Sequence, residues 1–190
     1  MSIVLASGSP RRKELLEMLG VNDLKIIPAK GEESAPEGLA PGELVMALAA
    51  QKGREVKELC KAEDVIIAAD TIVWHENQVY GKPHSRKHAI EMLRSLQGRA
   101  HQVYTGVCLI CGDNELLRYN MSQVRFRPMS DEEIEAYVAT GEPMDKAGAY
   151  GAQGKGAIFV EGIEGDFFNV MGLPLCTLGE MLKTQGVKVL

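Results

Sequence analysis

Asp70 stands inside an otherwise apolar run, VIIAADTIVW at residues 65–74, and burying a lone carboxylate in such a run is costly unless a cation or a metal faces it. The β-branched stretch around it reads as a buried strand, so the aspartate points to a site. The other reading, an aspartate forming a turn at a strand end, stays open because Asp is a common turn former. Lys52 poses the complementary question. On a helix predicted over residues 41–61, Val45, Leu48, Ala49, Val56 and Leu59 mark the apolar stripe, and at about 100° per residue Lys52 falls near its centre. A lysine there either snorkels to solvent or meets an anion inside.

Three further groups carry charge in places that suggest a phosphate ligand. LASGSPRRKELL (5–16) reads as a strand, a small-residue turn and a helix start, and helix N-termini attract phosphate through unpaired N–H groups and the dipole. Arg11 and Arg12 oppose that dipole, which makes sense if an anion lies between them; two solvated arginines, at a cost of a few tenths of a kcal/mol each, remain the alternative. Lys82, just before Pro83, is a third cation or a plain loop lysine. Glu32 and Glu33 lie in a Gly-, Pro- and Glu-rich loop at 31–43. One of them, with Asp70, can hold a hard divalent ion such as Mg²⁺, which takes oxygen ligands, waters and substrate phosphates; solvated glutamates are the alternative.

Several other chemistries are disfavoured. In DKAGAYGAQGKG (145–156), Gly154 and Lys155 are followed by Gly156, and Ala149 occupies the first glycine position of a Walker motif, so this is not a P-loop. Ile72 stands where the haloacid dehalogenase-like phosphatases need a second aspartate, which argues against a covalent role for Asp70. Cys108 and Cys111 form a C-x-x-C in a predicted strand, where residues three apart point to opposite faces and do not chelate one metal. His84 and His88 are separated by a predicted N-cap at Ser85 and read as surface residues.

The elements that must position these residues follow from local signals. Strands are predicted near 3–6 and 25–27, with a helix from Pro10 to about Leu19 between them, stopped by Gly20. After the helix over 41–61 come the Asp70 strand, a hairpin through Glu76–Gln78 with a strand ending at Lys82, and a helix from Arg86 to Gln97. A long hairpin over 101–111 and 115–127 turns at Gly112, Asp113 and Asn114. Ser130 and Glu133 form a capping box for a helix ending near Thr140. A strand, AIFVEGI, follows the Gly-rich stretch, and a last helix starts after Pro174. Alternating helices and strands early, with hairpins in the middle, give a mixed α/β sheet.

With 190 residues, the chain suffices for one domain of one core or two lobes. A net charge of −5 disfavours a broad nucleic-acid face. No signal segment or apolar run of membrane-spanning length is visible, so a cytoplasmic protein is expected. Four cysteines are too sparse for a disulfide framework.

Taken in order, LASGSPRRKELLEMLG, AADTIV, GKP, YVATGEPMDKAGAYGAQG and NVMGLPL resemble the Maf family of nucleoside triphosphate pyrophosphatases over nearly the whole chain. The resemblance implies a single domain over 1–190, an elongated mixed α/β sheet with flanking helices and a central cleft, similar to the inosine triphosphate pyrophosphatases. It implies hydrolysis of a nucleoside triphosphate to monophosphate and pyrophosphate, a divalent cofactor (Mg²⁺ or Mn²⁺) and a homodimer. It also implies a link to septum formation. Asp70 matches the family's proton acceptor, and Arg11, Thr71 and Gln153 match the positions that separate substrate branches. All three follow the branch acting on dTTP and UTP, with modified pyrimidine nucleotides as further candidates; the branch acting on 7-methyl-GTP has Trp for the arginine and Asp-Gln for Asp70-Thr71. Ser7, Ser9, Arg12, Glu33, Lys52 and Lys82 match the family's polar cleft set, while Ala152 and Met171 replace the usual Ile and Val.

On this reading Arg11, Arg12, Lys52 and Lys82 offset the triphosphate charge and Glu33 and Asp70 help to hold the metal. Asp70 acts on the attacking water, and Gln153 reads a uracil or thymine edge. A nucleotide-binding regulator of cell division is the rival from another class, against which the retained Asp70 counts; an enzyme for purine or modified nucleotides is the second rival.

Overall fold

The computed structural model describes residues 2–21, 23–32 and 34–188. Along the chain run β1 (Ile3–Leu5), α1 (Pro10–Met18), β2 (Leu24–Ile26), α2 (Pro41–Lys57), β3 (Val65–His75), β4 (Gln78–Tyr80) and α3 (Arg86–Leu96). The rest comprises β5 (Ala100–Cys111), β6 (Asn114–Phe126), α4 (Asp131–Ala139), β7 (Val160–Glu164), α5 (Phe167–Met171) and α6 (Leu175–Thr184), with three short 3-10 turns between α4 and β7. The fold is mixed α/β, with a seven-stranded sheet of order β2-β1-β3-β5-β6-β7 and β4 paired to β3.

The chain forms two compact units. The first comprises Met1–Asp70, Thr105–Asn120 and Gly172–Leu190. Its β1 pairs in parallel with both β2 and β3, as helical crossovers require. Close packing of α2 follows from small residues. A Cβ on Gly106 would stand 2.3 Å from the Val45 carbonyl oxygen, and one on Gly53 would lie 3.0 Å from Cys108 Sγ and 3.2 Å from Ile110 Cδ1. Glycine at both positions lets the α2 backbone lie against β5, with Ala49, Ala50 and Val56 in one buried cluster with Ile66, Ala68 and Ile110.

The second unit comprises Thr71–Tyr104 and Met121–Met171. Its core gathers Leu93 and Leu96 of α3, Ile134 and Val138 of α4, Phe126 and Phe159. The β3–β4 hairpin pairs Val73 with Tyr80 and His75 with Gln78, and Glu76 and Asn77 at its tip both take positive φ, 48° and 62°, the geometry of a two-residue type I′ turn. Ser85 accepts a hydrogen bond from His88 N and Ser130 from Glu133 N, so both predicted N-caps form.

Four expectations are corrected. Helix α2 ends at Lys57 rather than residue 61, because Leu59 N and Cys60 N bond to the carbonyls three residues back and tighten the chain into a turn. Leu59 therefore lies off the apolar stripe and is 68% exposed. The strand predicted to end at Lys82 ends at Tyr80. AIFVEGI is strand only from Val160, its first residues completing the 3-10 turn Lys155–Phe159. His88 is only half-buried, at the first turn of α3 rather than fully on the surface. Helix α5 and the 3-10 turns carry no periodicity long enough to be read in advance.

All four cysteines are free thiols. Burial pushes the Cys108 thiol up to about 12. Among the described residues no helix is long and apolar enough to cross a membrane.

Candidate active site

In the first unit, β3 delivers Asp70 and α2 delivers Lys52. Lys52 Nζ donates to Asp70 Oδ1 at 2.5 Å, with the side chains only 18% and 10% exposed. The lysine at the centre of the apolar stripe thus meets an anion, and the aspartate in the apolar strand faces a cation, as its desolvation requires. Asp70 lies within β3 and not at a strand-end turn.

The turn between β1 and α1 forms the neighbouring polar segment of the same unit. Ser7 is buried, and its Oγ accepts from Ser9 N at 3.2 Å and from Arg12 Nη1 at 3.1 Å. Arg12 Nε also donates to the Gly172 carbonyl at 2.8 Å. Arg12 thereby ties the start of α1 to the Gly-Leu-Pro segment before α6. This bond joins residues 160 positions apart. Arg11 is half-buried in the first turn of α1, whose N-cap Ser9 makes no side-chain cap bond.

Glu33 lies outside the described residues. Its flanking segments are held by α2. Gln51 Nε2 donates to the Glu32 carbonyl at 2.7 Å and Gln51 Oε1 accepts from Ser34 N at 3.0 Å. Glu55 accepts from Lys30 N and Gly31 N.

The second unit carries Thr71, Lys82 and Gln153. Thr71 is half-buried and directly follows Asp70 on β3. Lys82 is exposed in the loop after β4, beside Gly81, whose carbonyl accepts from Gly148 N at 3.1 Å. Gln153 is exposed in the Gly-rich segment. Sequence reasoning missed two residues that shape that segment, Tyr137 and Glu142: Glu142 accepts from Tyr137 OH, Lys155 N and Gly156 N. Their only advance signal was their place within YVATGEP.

Asp70 offers hard oxygen donors, the ligand type that Mg²⁺ takes. A carboxylate offers about four lone-pair sites, so Asp70 retains acceptor capacity beside Lys52, and Mg²⁺ is commonly bound by one or two carboxylates plus substrate phosphates. Among the described residues no group of three or more His, Cys, Asp or Glu side chains is placed to hold a metal ion.

The Maf-like protein family matches residues 2–185. A protein of Bacillus anthracis named dTTP/UTP pyrophosphatase is 47% identical over 187 residues, covering 98% of this chain and 97% of its own length. A protein of the same name from Bacillus cereus strain AH820 is likewise 47% identical over 187 residues, with the same coverage of 98% and 97%. The HAM1 protein of Coxiella burnetii superposes with a TM-score of 0.50 at 18% identity, covering 97% of this chain and 99% of that one. The Ham1 protein of Staphylococcus aureus gives 0.50 at 17%, covering 84% and 80%. At such identities these two structures speak for the fold alone. Family match and relatives extend over nearly every residue from the β1 strand to the α6 helix, and the chain belongs to the Maf-like protein family.

Proposed function

We propose that the protein is a nucleoside triphosphate pyrophosphatase that hydrolyses dTTP and UTP to the monophosphate and pyrophosphate. The observation that carries this reading is the Lys52–Asp70 pair, a carboxylate and an ammonium brought together at 2.5 Å within a largely apolar strand and helix face. The pyrimidine substrates come from the relatives named dTTP/UTP pyrophosphatase at 47% identity.

In this reading Asp70 orients the attacking water and accepts its proton. A positioned base of this kind contributes roughly 10²–10⁴-fold. Ser7 and Ser9 donate to phosphate oxygens, while Arg11, Arg12, Lys52 and Lys82 offset the triphosphate charge. Phosphoryl-type transfer depends mainly on such positioning and charge stabilisation. Arg12 is partly committed to Ser7 and Gly172, so it holds the turn in shape as well as adding charge. Glu33 and Asp70 would hold a divalent cation, Mg²⁺ or Mn²⁺, which when bound neutralises phosphate charge. Arg11, Thr71 and Gln153 govern base choice. Gln153 offers an amide donor and acceptor to a uracil or thymine edge, and a mismatched base that covers this amide leaves its polar atoms unpaired.

A panel of dTTP, UTP, CTP, 7-methyl-GTP and modified pyrimidine triphosphates with Mg²⁺, compared by kcat/KM with product identification, tests the reading. Highest values for dTTP and UTP, with monophosphate and pyrophosphate formed in equal amounts, are expected. Preference for 7-methyl-GTP over UTP, or nucleotide binding without pyrophosphate release, would overturn it.

A further inference from the structure

The segment carrying Gln153 is fastened on both sides of that residue by one buried phenol and one carboxylate. Gly151 N donates to Tyr137 OH at 3.2 Å, before Gln153. Lys155 N and Gly156 N each donate to Glu142 at 3.1 Å, after it. Tyr137 OH itself donates to Glu142 Oε1 at 2.9 Å, linking the two fastenings. Between them Ala152 is half-buried, and Gln153 and Gly154 are exposed.

The packing leaves this short arch little room to change. A Cβ on Gly156 would lie 2.6 Å from both the Gly151 carbonyl oxygen and Tyr137 OH. Gly154 takes φ of +100°, and a Cβ there would stand 3.1 Å from both Glu142 carboxylate oxygens. Upstream, the buried Tyr150 shares a 2.8 Å hydrogen bond with His101 Nε2. Lys146 Nζ donates to the Glu142 carbonyl at 2.6 Å, anchoring the backbone that presents the carboxylate. Burial opposes ionisation of Glu142, but the Lys155 and Gly156 N–H groups and the Tyr137 hydroxyl outweigh it and hold the carboxyl below its ordinary range. Burial raises the Tyr137 phenol, which stays a donor.

We propose that Tyr137 and Glu142 are positioning residues for base selection, fixing the arch so that the Gln153 amide is presented in one place. The proposal rests on the reading that Gln153 contacts the base. A side chain that discriminates by hydrogen bonds must be held to a fraction of an ångström, and a misplacement of about 1 Å costs as much as a hundredfold. Tyr137→Phe removes the hydroxyl and keeps the ring that packs edge-on against Phe159. Glu142→Gln places an amide donor against backbone N–H groups and forfeits at least one of the two arch bonds.

The experiment measures kcat and KM of the full-length chain with Mg²⁺ for UTP, dTTP and CTP, in wild type, Gln153→Ala, Tyr137→Phe and Glu142→Gln, together with thermal unfolding of each. Expected is a KM for UTP and dTTP raised roughly tenfold or more in both positioning variants, with kcat changed far less and the UTP-over-CTP preference reduced toward that of Gln153→Ala. Should Glu142→Gln fail to fold, Tyr137→Phe alone decides. A folded Tyr137→Phe that keeps wild-type KM and preference, while Gln153→Ala loses the preference, overturns the positioning role and leaves the Gln153 reading standing. A wild type without the UTP-over-CTP preference, or a Gln153→Ala that retains it, overturns the Gln153 reading and this proposal with it.

Discussion

Lys52 Nζ stands 2.5 Å from Asp70 Oδ1, joining the middle of α2 to β3 inside the first unit. Breaking a fully buried pair costs roughly 3–5 kcal/mol because the remaining charge is uncompensated. Here the side chains keep 18% and 10% of their exposure, so Lys52→Met should cost less, about 1–3 kcal/mol. Adding Asp70→Asn to it should cost less than the sum of the two single changes. A double-mutant cycle by denaturant unfolding measures this coupling. Strict additivity would show that the pair contributes nothing to stability.

The approach of α2 to β5 rests on Gly106, whose added Cβ would meet the Val45 carbonyl oxygen at 2.3 Å and Met46 N at 2.7 Å. Backbone atoms cannot rotate away as a side chain can. Gly106→Ala should therefore destabilise by at least the ~1–3 kcal/mol of an overpacked core, and lower turnover by displacing Lys52. Gly179, in α6, has nothing within 4 Å of its would-be Cβ. Gly179→Ala should be neutral or stabilising by about 0.5–1 kcal/mol. Thermal unfolding of both variants checks the contrast, and equal melting temperatures would contradict it.

His101 links stability to pH. Burial, with a smaller contribution from the charge of His75, pulls it down to about 3 from an ordinary 6.5. The folded chain thus refuses a proton that the unfolded chain accepts. Above the ordinary value His101 has no effect; below it, stability falls by up to ~1.4 kcal/mol per pH unit until the folded group titrates near pH 3. His101→Gln should flatten the decline between about pH 6 and 4 while carboxylates titrate alike in both proteins. Superimposable pH–stability curves for the two would exclude the effect.

Local signals made the frame legible. Ser85 and Ser130 cap the helices predicted for them because a cap depends on residues three positions on. The Glu76–Asn77 turn follows equally from neighbours. Asp70 and Lys52 were each conspicuous for a charge among apolar residues, but that they meet depends on Gly53 and Gly106, whose small size is not a charge signal. The Arg12–Gly172 bond spans 160 positions and leaves no periodic trace. Glu142 follows a helix and carries no charge anomaly of its own; its partners Lys155 and Gly156 lie in an irregular segment that periodicity cannot reach. Leu59 misled for the opposite reason, since it keeps the helical spacing after the helix has ended.

The central claim is that Asp70 acts on the attacking water, and the kcat of Asp70→Asn with UTP and Mg²⁺ tests it most directly, alongside nucleotide affinity measured by calorimetry. A fall of roughly 10²–10⁴-fold in kcat, with nucleotide still bound, is the predicted result. Retention of most of the wild-type turnover by a folded Asp70→Asn protein would contradict it.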